Sequence, residues 1–451
     1  MVPNSAGSFL SVLATVLAGK VPVMINYSTG AEGNARYAQE KIGFADIITS
    51  RALLDKIRCP VIPGMICLED IMKSLKPLEK VRAAATARLP LKLLRRTVAR
   101  GRLDDTAVIL FTSGSERDPK AVQLSHRNIG ANVRDIVHVY DLSSSDSIIS
   151  ILPLFHVFGH TTNLWMPLTS GMTAVTHANP LDYKTIPVMI REEAVTVIAA
   201  TPVFFAGYLR EAGSGDLASL RLLVAGADKT PEWLRTEYGA KHGKTLLEGY
   251  GTTETSPVIS TNTPTHNRPG SIGRPLPGAS VRIADLESGE PLPMGREGKI
   301  LVKGDLVMKG YYGDIEETSM RIKNGWYDTG DMGVLDEDGY LWHRGRLKRF
   351  VKIGGEMVSL VRTESVLEEL LPEGIDCCVV ELPDRNKGAR LAVALTGPID
   401  EKATIRKLTE RLPPIAVPRT FVQFTELPKM GSGKVDFRTT MAMVRERLVS
   451  R

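Results

Sequence analysis

The chain has 451 residues, 43% of them apolar and 24% charged, with four cysteines and a formal net charge of +6. That length exceeds what one hydrophobic core normally supports, so two or more domains are expected in a soluble, globular protein. Cys59, Cys67, Cys377 and Cys378 form no C-x-x-C pair, and a vicinal bridge is strained, which excludes a disulfide-held scaffold and points to a reducing, cytoplasmic setting.

In chain order, the apolar run Phe9 to Gly19 is too short to span a bilayer and has no basic segment before it, so neither a membrane span nor an export signal is read there. Val21 to Asn26 has the texture of a buried parallel strand. From Lys73 to Arg102 there are ten Lys or Arg against one acid, Glu79. Within it, Leu89, Leu91, Leu93, Leu94 and Val98 interleave with Arg88, Lys92, Arg95, Arg96 and Arg100. That pattern predicts a basic amphipathic helix able to touch anionic lipid or an acidic protein; a solvated surface helix has the same composition. Aromatic stacking residues are absent from it, which argues against nucleic acid.

Further strands are predicted at Thr106 to Phe111, Val195 to Ala199 and Leu220 to Val224, giving an α/β domain whose strand ends present ligand loops. From about Pro269, Gly- and Pro-rich turns separate short strands at Ser280 to Ala284, Gly298 to Val302 and Gly339 to Trp342, a β-rich subdomain. After Gly345 a small α+β domain is expected, with helices at Glu364 to Leu371 and Ile405 to Leu412 and strands at Cys377 to Glu381 and Leu391 to Leu395. The division is therefore a large domain over 1–345 and a small, mobile one over 346–451, hinged near Arg346 to Lys348.

Four polar, glycine-rich segments stand out: Phe111-Thr-Ser-Gly-Ser-Glu-Arg-Asp-Pro-Lys120, Glu248-Gly-Tyr-Gly-Thr-Thr-Glu254, Trp326-Tyr-Asp-Thr-Gly-Asp331 and Gly431-Ser-Gly-Lys434. Thr112, Ser113, Gly114 and Ser115 offer N–H groups and hydroxyls without bulk, and Lys120 adds charge, as wrapping a triphosphate requires. The last segment is no P-loop, since Pro428 occupies the first glycine position and Val435 the Ser/Thr position. Taken singly, each segment is an ordinary loop; their order is what carries information.

With Met24 to Tyr27, Leu152 to Gly159, Val224 to Ala227, Lys348 to Ser359 and Ala416 to Arg419, these segments make the chain resemble the adenylate-forming superfamily. That superfamily comprises acyl-CoA synthetases, luciferases and peptide-synthetase adenylation domains. Within it the chain looks most like the acyl-carrier-protein synthetase domain of bacterial bifunctional 2-acylglycerophosphoethanolamine acyltransferases. The resemblance implies a carboxylic acid activated by ATP and Mg²⁺ as an acyl-AMP, then passed to a pantetheine thiol.

By that resemblance Thr112 to Lys120 hold the β- and γ-phosphates, and Gly226, Ala227, Asp228 and Tyr250 enclose adenine, with Gly251 and Thr252 beside them. Thr253 meets the α-phosphate, Glu254 helps hold Mg²⁺, and Asp331 and Arg346 reach the ribose. Lys434 is the catalytic lysine, His156 gates the acyl pocket, Lys348 is the hinge, and Lys352 faces the site in the thioester-forming arrangement. The phosphate loop departs from the family pattern at Arg117 and Ala121, where glycines are usual. Family members also carry several dozen residues before the segment matching Val2 to Asn4, so a wrongly assigned start or a piece of a larger, acyltransferase-fused protein is expected.

Three functions follow as expectations. The first is a long-chain fatty acid ligase serving acyl carrier protein, for which Lys348, Arg349, Lys352, Arg362, Lys387 and Arg390 would form a basic docking face. The second is a fatty acyl-CoA synthetase, and the third a truncated, non-catalytic nucleotide- or membrane-binding paralogue. The expected location is cytoplasmic, with peripheral contact at the inner membrane face through 73–102.

Overall fold

The computed structural model describes every residue except 113–118, 355, 373, 385–387, 430–434 and 450–451, with backbone alone at Lys348 and Val449. Its centre is a seven-stranded sheet in the spatial order Arg274–Pro275, Val258–Thr261, Leu246–Gly251, Leu222–Ala225, Val197–Ala200, Ser147–Ser150, Thr173–Thr176. The five strands from Leu246–Gly251 to Thr173–Thr176 run parallel, and the other two close one edge antiparallel. Ser147–Ser150 and Val197–Ala200 are buried at every position, as strands covered by helices on both faces must be. Each fully buried Ile or Leu of this sheet, such as Ile148, Ile149 and Leu222, contributes about 1.5–3 kcal/mol.

A four-stranded sheet joins Val23–Met24, Thr106–Phe111, Ala121–Ser125 and Gly310–Tyr311, and an antiparallel sheet holds Ser280–Ala284, Gly298–Lys303, Trp326–Leu335, Ile322–Lys323 and Leu341–Arg346. After the 3₁₀ turn Leu347–Arg349 come the hairpin Phe350–Ile353 with Glu356–Ser359, then the three-stranded sheet Cys377–Asp384, Gly388–Leu395, Thr420–Gln423. Helices Leu360–Glu368, Glu401–Arg411 and Phe437–Val449 accompany that sheet. Among the described residues the apolar clusters separate: those of the first part end at Leu341, and the remaining two begin at Val351. The fold is thus α/β, with a large N-terminal part and a small C-terminal one.

Thr106–Phe111 and Ser280–Ala284 form where the sequence predicts them, while the predicted Gly339 strand begins at Leu341 because Gly339, at φ +79°, closes the preceding turn. The basic stretch departs further. Its helix is Pro77–Ala87, upstream of the predicted pattern, and only Leu91–Leu94 is helical beyond it. Pro90 lacks an N–H and crowds the preceding turn, so a single helix cannot run through it. The four cysteines are free thiols, and among the described residues no helix is long and apolar enough to cross a membrane.

His160 lies fully buried in a π-helical turn, His160–Trp165, where its Nε2 accepts from the Trp165 indole at 3.0 Å. Burial lowers its pKa from the ordinary 6.5 to about 4. The unfolded chain therefore binds a proton that the folded one refuses, and stability falls as pH drops from about 6.5 to about 4, by roughly 3 kcal/mol at most. We expect His160→Gln, which keeps an acceptor for Trp165, to lose less Tm than wild type between pH 7 and pH 5; equal losses in a thermal melt would remove His160 as the cause.

Candidate functional site

A cleft of about 2250 Å³ opens at the carboxyl ends of the parallel strands and is roofed by the small C-terminal part. Its walls include Thr112, Lys120, His156, Gly226, Ala227, Asp228, Tyr250, Gly251, Thr252, Thr253, Glu254, Asp331 and Arg346. Three of the four glycine-rich segments, joined by His156, the Gly226 to Asp228 loop and Arg346, thus converge on one cavity, where ligands bind in open α/β sheets.

The phosphate-type loop is pinched at its base. The Thr112 N–H donates to the Lys120 carbonyl at 3.0 Å, and the Lys120 N–H donates to the Thr112 hydroxyl at 3.1 Å. Ser113, Gly114, Ser115 and Arg117 lie outside the described residues. The Lys120 ammonium pairs with Glu317 and sits 5.0 Å above the Tyr311 ring. Glu317 also accepts from Arg321 at 3.2 Å; burial opposes its charge, but Lys120 and Arg321 outweigh that and hold its pKa below the ordinary value.

Glu254 is buried in the 3₁₀ turn Thr253–Thr255, which is tied to its surroundings by Thr252 N–H to the Pro257 carbonyl at 3.1 Å and Met308 N–H to the Glu254 carbonyl at 2.8 Å. One carboxylate oxygen accepts from the Tyr311 hydroxyl at 2.8 Å. Among the described residues no cluster of three or more His, Cys, Asp or Glu side chains is placed to cage a metal. Mg²⁺ does not need such a cage: one carboxylate with substrate phosphates and water completes its octahedron, and Glu254 on the cleft wall fits that requirement.

Tyr250, near the end of the strand Leu246–Gly251, donates its hydroxyl to Asp331 Oδ2 at 2.5 Å. Burial, then the Asp331 charge, push the tyrosine pKa well above 10, so the proton stays on the phenol. Asp331 is 3% exposed and lies directly opposite Arg346 in the antiparallel register. Arg346 Nε and His343 Nε2 stand 3.6 and 3.7 Å from Oδ1, which itself is buried and accepts no hydrogen bond from the described residues. Burial disfavours the Asp331 charge, yet His343, Arg346 and Tyr250 hold its pKa below the ordinary range.

Gly226 follows the strand Leu222–Ala225, and a Cβ there would meet the Phe158 ring at 3.1 Å. Ala227 takes φ +69°, a left-handed geometry costly for a residue with a Cβ, of order 1 kcal/mol, and such strain concentrates at ligand sites. His156 leads into the helical turn Val157–Gly159 with its ring 4.7 Å from Phe155.

Among the described side chains, Lys352 is the sequence-predicted site residue not gathered in. Lys352 is exposed and absent from the cleft wall, although Glu356, Met357 and Val358 of the same hairpin reach it. Lys348 lies in the 3₁₀ turn Leu347–Arg349, and Lys434 lies outside the described residues, although its neighbour Val435 lines the cleft. Arg349 is not part of a basic docking face: it is mostly buried, paired with Glu364, and stacked 3.9 Å over Phe437. Lys387 lies outside the described residues, leaving Lys352, Arg362 and Arg390 exposed. Sequence reasoning missed Tyr311, Glu317, Arg321 and His343, which all line the cleft. Tyr311 stands between Gly310 and Gly313, but Glu317, Arg321 and His343 carry no such local signal.

Beyond the turn carrying Thr252 to Glu254 the chain folds back on Gly251 so closely that a Cβ there would lie 1.9 Å from the Pro257 carbonyl oxygen. Gly251→Ala should therefore displace that turn, cost about 1–3 kcal/mol, and weaken nucleotide binding. Gly239→Ala, with open space around its Cβ in the helix Glu232–His242, should be neutral or stabilising. Paired thermal melts and calorimetric ATP titrations check both expectations.

The AMP-binding enzyme model matches residues 1–312, and the AMP-binding enzyme C-terminal domain model matches residues 363–434. An indoleacetate–CoA ligase of Aromatoleum aromaticum is 32% identical over 73% of the chain and 65% of that protein. A long-chain-fatty-acid–CoA ligase of Bacillus subtilis is 33% identical over 73% of the chain and 60% of that protein, so the match spans less than two thirds of either relative. Among solved structures, ATP-bound MatB from Rhodopseudomonas palustris superposes with a TM-score of 0.85 at 26% identity, over 98% of this chain and 87% of that one. The converging strand-end loops, the two-part build and these matches lead to one conclusion: the chain belongs to the AMP-binding, adenylate-forming enzyme family.

Proposed function

We propose that the chain is an ATP-dependent, AMP-forming acid–thiol ligase acting on a long-chain fatty acid, with CoA as the thiol acceptor. The observation that carries it is the unsatisfied Oδ1 of buried Asp331, held charged beside Tyr250 and Arg346 in the cleft that also receives Glu254 and the Lys120 loop. A buried carboxylate oxygen without a donor is costly unless a ligand supplies one, and a ribose diol offers two hydroxyls.

In this reading the Tyr250 ring and the Gly226 to Asp228 loop take the purine, and Thr112 with Lys120 flank the phosphates. To do so Lys120 exchanges its Glu317 partner for a phosphate oxygen. Mg²⁺ bound at Glu254 and the phosphates would neutralise charge on the leaving pyrophosphate. An acid carboxylate oxygen attacks the α-phosphorus, a P–O bond forms, and the bond to pyrophosphate breaks. Lys434 would donate to the α-phosphate oxygens as charge builds there. In the second step a thiolate attacks the acyl carbon and AMP leaves with the electron pair of the C–O bond. The apolar walls past His156, including Leu152, Met166 and Val197, suit an alkyl tail. Both curated relatives are CoA ligases, which supports CoA over a carrier protein, while their different acids leave the tail to be read by assay.

The test is ATP-dependent pyrophosphate release with palmitate, followed by thioester formation on CoA or, separately, on holo-acyl carrier protein. We expect thioester on CoA. Asp331→Asn should raise the KM for ATP at least tenfold, and Lys434→Ala should slow pyrophosphate release by roughly 10²–10³-fold. Thioester formed solely on the carrier protein would reverse the acceptor assignment. Absence of pyrophosphate release from the chain and from a longer form would reject the ligase reading.

A further inference from the structure

The excursion from Lys73 to Arg102 has no role in the cleft. From Met72 to Arg100 every side chain is exposed except half-buried Thr86, Leu94 and Val98, so its helix Pro77–Ala87 packs on nothing. Ten Lys or Arg lie in it, and its single acid is engaged locally, Glu79 accepting from the Lys76 N–H at 2.8 Å. Among the described residues, no acid forms an ion pair with any of the ten cations.

Apolar side chains stand among these charges. Leu78 is 78% and Val81 65% exposed, and with Ala85 they share one stripe of the helix, bordered by Arg82. Leu89, Leu91 and Leu93 are exposed beyond it, and the segment rejoins the body where the Ala99 N–H donates to the Leu17 carbonyl, beside exposed Leu17 and Val21. Cations with aliphatic stems alternating with bare leucines suit an interface that is negatively charged outside and oily within. A folded acidic protein would answer the charge but would also need a groove shaped to each leucine; a bilayer surface requires no such complementarity.

We propose that residues 73–102 form a docking element for the surface of an anionic lipid bilayer. The apolar stripe enters the acyl boundary, and the lysines and arginines sit at the phosphate level. This goes beyond the ligase reading and does not depend on it.

The experiment is cosedimentation of the full chain with vesicles of phosphatidylcholine alone, or with roughly one third phosphatidylglycerol, at low and high salt. Two variants accompany it: Lys80→Glu/Arg82→Glu/Arg88→Glu and Leu78→Ser/Val81→Ser. Thermal melts confirm that both fold, so the result stands whatever the enzymatic assay gives. Salt-sensitive binding to the anionic vesicles is expected, weakened roughly tenfold or more by charge reversal and measurably by the serine pair. Equal binding to neutral vesicles, or unchanged binding in either variant, overturns the proposal. So does binding to an acidic carrier protein without affinity for the anionic vesicles.

Discussion

One buried carboxylate holds the cleft together. Asp331 sits on the antiparallel sheet, takes a proton donor from Tyr250 at the end of the central parallel sheet, and faces Arg346, the last residue before the small C-terminal part. The central sheet and the antiparallel sheet therefore meet at its two oxygens, one strand-end before the small part begins. Removing such a group from water is costly, and the cost is offset because His343, Arg346 and the Tyr250 phenol keep it charged. Nothing in the local chain compels this meeting; the register of Trp326–Leu335 against Leu341–Arg346 does.

The rest of the cavity follows the same logic of placement by sheets. Parallel strands deliver Gly226 and Thr252 at their carboxyl ends, because each crossover returns the chain to the same edge. The four-stranded sheet brings Gly310–Tyr311 beside Ala121–Ser125, and that pairing carries the Tyr311 ring under Lys120 and its hydroxyl to Glu254. Glu317 follows in the helix Ile315–Arg321, capped by Asp314. Cation, anion and aromatic face are thus held in a partly buried cluster that a polyanionic ligand would reorganise.

Much of this was legible in the sequence, and the limits have physical causes. Strands bounded by turn residues, such as Thr106–Phe111 and Ser280–Ala284, were readable from local chemistry. Leu220 opens an apolar run and so marks a predicted strand start, yet the strand begins at Leu222: Leu220 is buried without β pairing. The glycine-rich segments pointed to the cavity because their composition is local. Lys120 to Glu317 and Glu254 to Tyr311 were not legible, being 197 and 57 residues apart and joined only through sheet register. Arg349 misled for a related reason: a cation in a basic phrase reads as surface until Glu364 and Phe437 are seen to enclose it.

Arg346, just before the 3₁₀ turn, and Arg349, its last residue, are anchored on opposite sides of one short link. Arg346 belongs by its strand to the large part, while Arg349 is anchored by Glu364 and Phe437 to the small one. Between them stand Leu347 and Lys348 alone, with two soft backbone torsions apiece. A swivel of the small part about that link could proceed with Arg346 still facing Asp331 and Arg349 still facing Glu364. Such a joint would reposition an entire wall of the cavity without dismantling the charge pairs on either side of it.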